Sequence, residues 1–336
     1  MHITSFRSLL AEAEEVLKKA NVPDPRFDAR ALLMSAFRID SAHFLLYEES
    51  DPEELIPKVM KDKAALEEAF GIFWNNITRR EKREPLQQIL GTVGFYGLDF
   101  KVTPDVLCPR ADTETLIDGV MGNLMYDNIP EKYRHMKEKV DKLTSGRQIV
   151  DSDDTALLDM CTGSGCIAIT LAKFGHFQSV TAVDISEKAL KIATYNRDSI
   201  LPEDERDKVC LIQSDMFSQV TGKYDLIVSN PPYIPSKVVD ALEPEVRDFE
   251  PRIALDGTED GLKFYRILAA LCPKYLKDGG YVFFEIGYDQ GEAVSGLLEE
   301  YGFRNVMVIK DFSDNDRVVT GEFGSTTDHG GKNGYV

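Results

Sequence analysis

The sequence predicts an α/β protein in which a parallel β-sheet, covered by helices on both faces, is preceded by a small helical bundle. Three observations lead to this fold class. The first 90 residues carry apolar side chains at helical spacing, strand-like and helical segments alternate from about residue 105, and glycine-rich or polar turns follow several of the strands. Alternation of this kind is typical of parallel sheets, because each parallel connection needs a crossover.

The N-terminal segment is expected to form the helical bundle. One apolar face is predicted from residues that recur three or four positions apart, namely Phe6, Leu9, Leu10, Ala13, Leu17 and Ala20. Helix starts are predicted at Asp24-Pro25 and Asp51-Pro52, since aspartate caps a helix and proline suits its first position. After Pro52 a long helix is expected to run to about Arg80.

A short hairpin is predicted between Thr92 and Val102, where glycines punctuate apolar and aromatic residues. The strands predicted beyond it are 156–160, 180–184, 209–213, 224–229 and 281–286, followed by 306–310 and 317–323. The helices predicted between them are 167–174, 187–196, 262–276 and 292–301. Because no helix separates the last two strands, we expect them to close the sheet as an antiparallel hairpin.

Length and charge limit the possible functions. The chain has 336 residues, enough for about two domains, and 57 acidic against 39 basic side chains give a net charge of -18. Residues 1–90 hold 13 basic and 16 acidic side chains, so they contribute -3 and the remainder -15. A protein that grips nucleic acid needs lysine and arginine against the phosphates, so we expect no nucleic-acid partner.

Membrane and metal functions are also disfavoured. No apolar stretch approaches the roughly 18 residues that span a bilayer, and the first residues lack the order of a signal peptide. The 5 cysteines are scattered without a Cys-x-x-Cys pair, and the 5 histidines never fall at metal-ligand spacing. We therefore expect a cytoplasmic protein with no membrane partner and no metal site.

A glycine-rich turn is the first motif that carries chemistry. Gly163 and Gly165 let the backbone turn sharply and approach a ligand, and Asp184, at the end of the next strand, can accept hydrogen bonds from ribose hydroxyls. The spacing also fits a loose dinucleotide fingerprint, so a nicotinamide or flavin cofactor and a plain tight turn are alternatives. Asp159, just before the turn, favours S-adenosylmethionine, because a carboxylate is unfavourable beside pyrophosphate but favourable beside a sulfonium.

The second motif, Asn230-Pro231-Pro232-Tyr233, directly follows a predicted apolar strand. The Asn230 side-chain oxygen and the Pro231 carbonyl can accept the two N–H groups of a planar amide or amidine-like target. Tyr233 can lay its ring on the flat face of that target. A plain Asn-Pro turn is the alternative interpretation.

A third candidate follows the predicted strand 209–213. Asp215 can accept a hydrogen bond from an adenine amino group, while Met216 or Phe217 packs against the adenine ring. An acidic residue that merely caps the loop is the alternative.

Taken together, these residues resemble the class I S-adenosylmethionine-dependent methyltransferases and, within them, the HemK/PrmC family of release factor glutamine methyltransferases. The resemblance covers nearly the whole chain and includes Arg83-Glu84-Pro85-Leu86-Gln87, Gly94-Phe95-Tyr96-Gly97, Pro109-Arg110-Ala111-Asp112-Thr113-Glu114, Phe249-Glu250-Pro251-Arg252, Asp256-Gly257, Asp260-Gly261 and Phe284-Glu285-Ile286-Gly287. It implies a Rossmann-like, mostly parallel seven-stranded sheet with an antiparallel last strand. It also implies methylation of the glutamine side-chain nitrogen in the Gly-Gly-Gln motif of peptide chain release factors.

The resemblance and the residue pattern together assign domains and sites. A helical domain at 1–85 would recognise the release factor, and a hairpin at 86–104 would link it to a methyltransferase domain at 105–323. Within that domain, 126–154 would be an insertion. Residues 324–336 would be a disordered tail. The expected cofactor-binding residues are Asp159, Cys161, Thr162, Gly163, Ser164, Gly165, Asp184, Asp215, Met216 and Asn230. The expected substrate-binding residues are Asn230, Pro231, Pro232 and Tyr233, with Asn230, Pro231 and Tyr233 as the catalytic residues. We expect a monomer.

Some residues depart from the family pattern, and other functions stay open. Cys161 stands where many members have glycine, so this position is expected to avoid backbone angles that only glycine tolerates. Met216 replaces a frequent aromatic residue and Asp112 a usual glutamate. The alternatives are a methyltransferase for a ribosomal protein glutamine, an amino-group methyltransferase for nucleic acid, which the charge opposes, and a binding module with an inactive methyltransferase fold.

Overall fold

The computed structural model of the protein describes residues 5–55, 61–124, 155–175 and 177–324. The expected insertion at 126–154, and the expected tail beyond Gly324, lie outside these ranges. The chain divides into two compact units. The first runs to Val93 and also includes Leu242–Glu250, and the second consists of Gly94–Ala241 and the chain from Pro251 onward.

The first unit is helical, as the sequence predicts. Its helices are α1 (Phe6–Lys19), α2 (Pro25–Phe37), α3 (Ser41–Tyr47), α4 (Lys63–Glu81) and α5 (Leu86–Leu90). Helix α1 buries Phe6, Leu9, Leu10, Ala13 and Leu17 of the predicted apolar face. The ring of Phe6 meets that of Phe37 edge to face at 4.9 Å, so α1 and α2 share one core.

The two predicted helix starts have different outcomes. Asp24 accepts a hydrogen bond from the Phe27 amide and Pro25 opens α2, which confirms that prediction. The long helix predicted after Pro52 is confirmed by α4, which ends at Glu81, but its predicted start is wrong, because Pro52–Leu55 is a 3-10 turn and α4 begins at Lys63. The Asp51 carboxylate accepts its hydrogen bond from the amide two residues ahead, which is a local turn that competes with a helix cap.

A buried ion-pair cluster binds Leu242–Glu250 to the helices of the first unit. Arg80 of α4 has a side chain only 5% exposed, and it donates to Asp28 Oδ2 at 2.6 Å and to Glu245 Oε1 at 2.9 Å. Arg83 donates to the same Glu245 carboxylate, with Nε 2.6 Å from Oε1. The cluster explains why a short stretch from late in the sequence belongs to the N-terminal unit.

The second unit begins with a hairpin and is built on one sheet. The hairpin pairs β1 (Thr92–Phe95) with β2 (Leu98–Lys101), and the division between the two units falls within β1. The sheet strands are β3 (Ala156–Met160), β4 (Ser179–Asp184), β5 (Val209–Gln213), β6 (Tyr224–Ser229), β7 (Leu276–Glu285), β8 (Phe303–Lys310) and β9 (Asp316–Phe323). The longer helices are α6 (Glu114–Leu124), α7 (Cys166–Phe174), α8 (Glu187–Ile200), α9 (Lys263–Tyr275) and α10 (Gly291–Glu300).

The strand order of the sheet is β5-β4-β3-β6-β7-β9-β8. Strands β3 to β7 pair in parallel, and β9 runs antiparallel to both of its neighbours. This confirms the predicted fold class, including the antiparallel closing hairpin. The chain moves outward from β3 to β5 and then returns to β6 on the other side of β3, so the order reverses there. In open α/β sheets ligands bind at such a reversal, beyond the carboxyl ends of the strands.

Candidate active site

A cavity of about 540 Å³ lies at the carboxyl ends of β3 to β6. It brings together most of the sequence-predicted site residues, which are Cys161, Thr162, Gly163, Ser164, Asp184, Asp215, Met216, Asn230 and Pro232. The remaining predicted residues, Asp159, Gly165, Pro231 and Tyr233, do not line it. Arg110, Thr113 and Lys263 line the cavity without having been predicted as site residues.

The glycine-rich turn departs from one sequence expectation. Cys161 has φ 65°, in the left-handed region, so the expectation that it avoids such angles is wrong. A non-glycine residue can occupy this region at a cost of roughly 1–2 kcal/mol, and the surrounding hydrogen bonds hold it there. The Thr162 amide donates to Val183 O at 2.9 Å, and the Gly165 amide donates to Thr162 O at 2.8 Å.

The two glycines of the turn serve different purposes. A Cβ on Gly163 would meet nothing within 4 Å, so its bare backbone faces open space. A Cβ on Gly165 would lie 2.8 Å from Ile169 Cδ1 and 3.1 Å from Ala193 Cβ. Gly165 therefore permits the close packing of α7 on α8, which accounts for its absence from the cavity wall.

Asp184 holds the turn and faces the cavity at the same time. Its Oδ2 accepts from the Gly163 amide and its Oδ1 from the Ser186 amide, both at 2.8 Å. Burial raises the pKa of Asp184, and these backbone hydrogen bonds oppose the rise. Each carboxylate oxygen can accept a second hydrogen bond, so Asp184 keeps acceptor capacity toward a ligand.

Asp159 lies beneath the turn rather than on the cavity wall. Its Oδ2 accepts from Thr162 Oγ1 at 2.6 Å and from the Ala168 amide at 3.2 Å, so it ties the turn to the start of α7. Its Oδ1 is buried and has no hydrogen-bond partner in the described parts of the chain. Burial raises the pKa of Asp159 to about 7, against the lowering effect of these hydrogen bonds.

The loop after β5 lines the opposite part of the cavity. Met216 has φ 47°, and its carbonyl accepts from Ser214 Oγ at 2.8 Å, which fixes the loop conformation. Asp215 is exposed and also lines the cavity. An apolar side chain and a carboxylate thus stand side by side, which suits a flat ring with an exocyclic amino group.

The Asn-Pro-Pro-Tyr loop starts at the end of β6, beside the end of β3. Ser229 Oγ donates to Met160 O at 2.7 Å, which ties the two strand ends together. Asn230 Nδ2 donates to Thr113 Oγ1 at 3.3 Å. Asn230 therefore reaches the cavity with one side of its amide already engaged by the protein.

The far end of this loop is held by its backbone. The Tyr233 carbonyl accepts from Gln290 Nε2 at 3.0 Å. A Cβ on Gly257 would lie 2.8 Å from Tyr233 Cα, and a Cβ on Gly261, where φ is +74°, would overlap the Tyr233 carbonyl oxygen. The Asp256-Gly257 and Asp260-Gly261 motifs are thus places where only glycine lets two loops pack together.

Three residues that support the site were missed as functional residues. Thr113 and Gln290 contact the Asn-Pro-Pro-Tyr loop, and the buried Asn196 of α8 donates to Ser164 O at 2.9 Å, inside the glycine-rich turn. Thr113 lies in one of the quoted family motifs, whereas Gln290 and Asn196 carry no local signal. Their roles depend on contacts between residues distant in sequence.

The described ranges contain neither a metal-binding cluster nor a helix that could span a membrane. No group of three or more histidine, cysteine, aspartate or glutamate side chains is placed there to hold a metal ion. Within the same ranges, no helix combines the length and the apolar character that crossing a bilayer requires.

Known proteins match both units of the chain. Two family models match, the PrmC N-terminal domain at residues 8–91 and the methyltransferase small domain at residues 140–243. A release factor glutamine methyltransferase of Fusobacterium nucleatum subsp. nucleatum is 37% identical over 307 residues, covering 91% of this chain and 75% of the relative. One from Geobacter sulfurreducens is 36% identical over 323 residues, covering 96% and 98%. A solved methyltransferase structure from Pyrococcus furiosus aligns with a TM-score of 0.44 and 17% identity, covering 69% of this chain and 92% of that chain.

Proposed function

This chain belongs to the release factor glutamine methyltransferase family, and on that premise we propose that it methylates the glutamine of the Gly-Gly-Gln motif in peptide chain release factors. The methyl group comes from S-adenosylmethionine and goes to the side-chain amide nitrogen, N5. The observation that carries the proposal is that the glycine-rich turn, Asp184 and Asn230 line one cavity. We also expect the enzyme to act in the cytoplasm as a monomer, without nucleic acid.

The residues of the cavity suit the cofactor. S-adenosylmethionine supplies an electrophilic methyl group on a positively charged sulfur. Asp184 retains acceptor capacity for the ribose hydroxyls, Gly163 offers bare backbone to open space, and Met216 with Asp215 suits the adenine ring and its amino group. The carboxylate of Asp159, buried below the turn, would favour a cationic ligand through its charge.

The Asn-Pro-Pro-Tyr loop suits the substrate amide. Asn230 Oδ1 and the Pro231 carbonyl would accept the two N–H groups of the glutamine side chain, and Pro232 keeps the loop rigid. Tyr233 is half-buried, with its backbone fixed by Gln290. Stacking of its ring on the glutamine amide stays a prediction.

Positioning is the main catalytic contribution that these residues can make. An amide nitrogen is a poor nucleophile because its lone pair is delocalised, and Asn230 is not a base strong enough to deprotonate it. When Asn230 and Pro231 hold both N–H groups, the partly delocalised lone pair of the nitrogen points at the methyl group. Orientation of this kind can lower the reaction barrier by about 7–11 kcal/mol in favourable cases. The amide nitrogen would form a bond to the methyl carbon as the bond from that carbon to the sulfonium sulfur breaks, which leaves a neutral thioether. The nitrogen would then release one proton to water.

The helical unit would recognise the release factor. The family model for the PrmC N-terminal domain covers residues 8–91, which is most of this unit. The unit also includes Leu242–Glu250, which follows the Asn-Pro-Pro-Tyr loop in sequence. We therefore expect Leu242–Glu250 to take part in the recognition of the release factor together with the helices of this unit.

The proposal is tested by replacing Asn230 with alanine. We expect Asn230→Ala to bind S-adenosylmethionine with nearly wild-type affinity, measured by calorimetry, while methyl transfer to a purified release factor falls by at least about 100-fold. Asn315→Ala, at an exposed position in the turn between β8 and β9, is the control and should retain full activity. Full turnover by Asn230→Ala would contradict the assignment.

A further inference from the structure

A buried glutamate stands directly behind Asn230. Ser229 of β6 pairs in parallel with Phe284 of β7, so the next residues along, Asn230 and Glu285, are neighbours at the carboxyl edge of the sheet. Glu285 is 2% exposed, and Thr113, which directly precedes α6, is 1% exposed. Neither residue is among the sequence-predicted binding or catalytic residues, although a buried carboxylate is unfavourable without a partner or a purpose.

These three side chains form one cluster. Asn230 Nδ2 donates to Thr113 Oγ1 at 3.3 Å, and the side chains of Thr113 and Asn230 both lie close enough to the Glu285 carboxylate to lower its pKa. A carboxylate only accepts, so the Thr113 hydroxyl and an Asn230 N–H are the groups that can donate to Glu285. Because Thr113 Oγ1 accepts from Asn230, its one hydrogen is left for Glu285.

The cluster favours one orientation of the Asn230 side-chain amide. An amide NH2 group has two hydrogens, and Thr113 and Glu285 provide an acceptor for each of them. The amide oxygen is then the only atom of this group left for the cavity. A flipped amide would present N–H groups to the N–H groups of the substrate and would leave its oxygen facing the Glu285 carboxylate, which is unfavourable on both sides.

We propose that Glu285 and Thr113 are positioning residues that lock the Asn230 amide with its oxygen toward the substrate glutamine. The proposal rests on the proposed function, since it concerns how that substrate is held. Glu285 Oε2 is buried and has no hydrogen-bond partner among the described residues, so this carboxylate has an oxygen free to accept from the cluster. Burial raises the pKa of Glu285 to about 7, while the hydrogen bonds from Thr113 and Asn230 and the charge of Arg317 lower it.

The test uses Thr113→Val, which keeps the shape of the side chain and removes its hydroxyl. We expect kcat for methyl transfer to a purified release factor to fall by about tenfold, with the affinity for S-adenosylmethionine unchanged. Thr170→Val is the matched control, because Thr170 is also fully buried and its hydroxyl has no partner in the described ranges. Glu285→Gln, which keeps one acceptor oxygen but replaces the other with an NH2 donor, should lower kcat by at least as much.

A double-mutant cycle separates positioning from general structural support. In an Asn230→Ala background, Thr113→Val should lower kcat by less than about twofold, because the amide that it orients is gone. Equal losses in both backgrounds, or wild-type kcat in both Thr113→Val and Glu285→Gln, would overturn the positioning role. Failure of the wild-type enzyme to methylate the release factor is a distinct result, which would overturn the proposed function and this role with it.

Discussion

Replacing Asp159 by asparagine should stabilise the protein at neutral pH and weaken its hold on a cationic cofactor. The carboxylate is fully buried, and its Oδ2 already makes both hydrogen bonds, to Thr162 and to the Ala168 amide. The side-chain oxygen of an asparagine can take the place of Oδ2 and accept the same two hydrogen bonds. The main change is therefore the loss of a buried charge. The same charge should favour a sulfonium when the cofactor is bound.

The size of the effect follows from the pKa of Asp159. Burial raises this pKa from 3.8 to about 7. Because the folded value is the higher one, the contribution to stability is present in full below about pH 3.8 and is lost as the pH rises through about 7. One pKa unit corresponds to about 1.4 kcal/mol. Between about pH 5 and pH 8 the free energy of unfolding of the wild-type protein should therefore fall by about 2 to 3 kcal/mol, and the variant should not show this fall.

The assay compares urea unfolding of Asp159→Asn and the wild type at the two pH values. Tryptophan fluorescence does not serve here, because Trp74, the single tryptophan, lies in α4 of the helical unit. Amide hydrogen exchange in β3 reports on the relevant unit. The exposed Asp204→Asn is the control for loss of a charge outside the core. If the free energies of unfolding of variant and wild type differ by the same amount at both pH values, the predicted role of the Asp159 charge is wrong. Unchanged affinity for S-adenosylmethionine would contradict it as well.

Three further predictions concern the helical unit, the loop packing and the cofactor site. Arg80→Met should lower the free energy of unfolding of the helical unit by about 3–5 kcal/mol, because it leaves the buried Asp28 carboxylate without its partner and Glu245 with Arg83 alone. An unchanged urea midpoint by tryptophan fluorescence would contradict this. Gly261→Ala should lower kcat by about tenfold or more, because the added Cβ clashes with Tyr233. The control is Gly279→Ala, which has a similar φ of +79° but lies in open space and should keep the wild-type kcat. Equal kcat values for the two variants would argue against the packing role of Gly261. Asp184→Ala should weaken binding of S-adenosylmethionine by about 100-fold in calorimetry, and retained affinity would remove Asp184 from the cofactor site.

Local patterns were enough to predict the sheet and most of the cavity wall. The bounds of β3, β5 and β6 agree with the sequence prediction, because each is a short apolar run that ends at a polar or glycine-rich turn. The parallel order of these strands then brings their carboxyl ends together, which is why Gly163, Asp184 and Asn230 meet although they are far apart in the chain.

Features that depend on distant contacts were not predictable in this way. Leu242–Glu250 joins the helical unit through the pairing of Glu245 with Arg80, which no local pattern indicates. The left-handed conformation of Cys161 went against its residue type, because the hydrogen bonds of the turn outweigh local preference. Gln290 supports the Asn-Pro-Pro-Tyr loop from a helix cap, and nothing in the residues around it points to that contact.

The most direct test of the central claim is transfer of a labelled methyl group from S-adenosylmethionine to a purified release factor, beside a copy in which the Gly-Gly-Gln glutamine is alanine. We expect label on the first protein and none on the second, with mass spectrometry placing the methyl group on the glutamine side-chain nitrogen. Label on both proteins would contradict the assigned site. Label on neither, with the cofactor still bound, would contradict the proposed substrate and favour a ribosomal protein glutamine or a binding role without transfer.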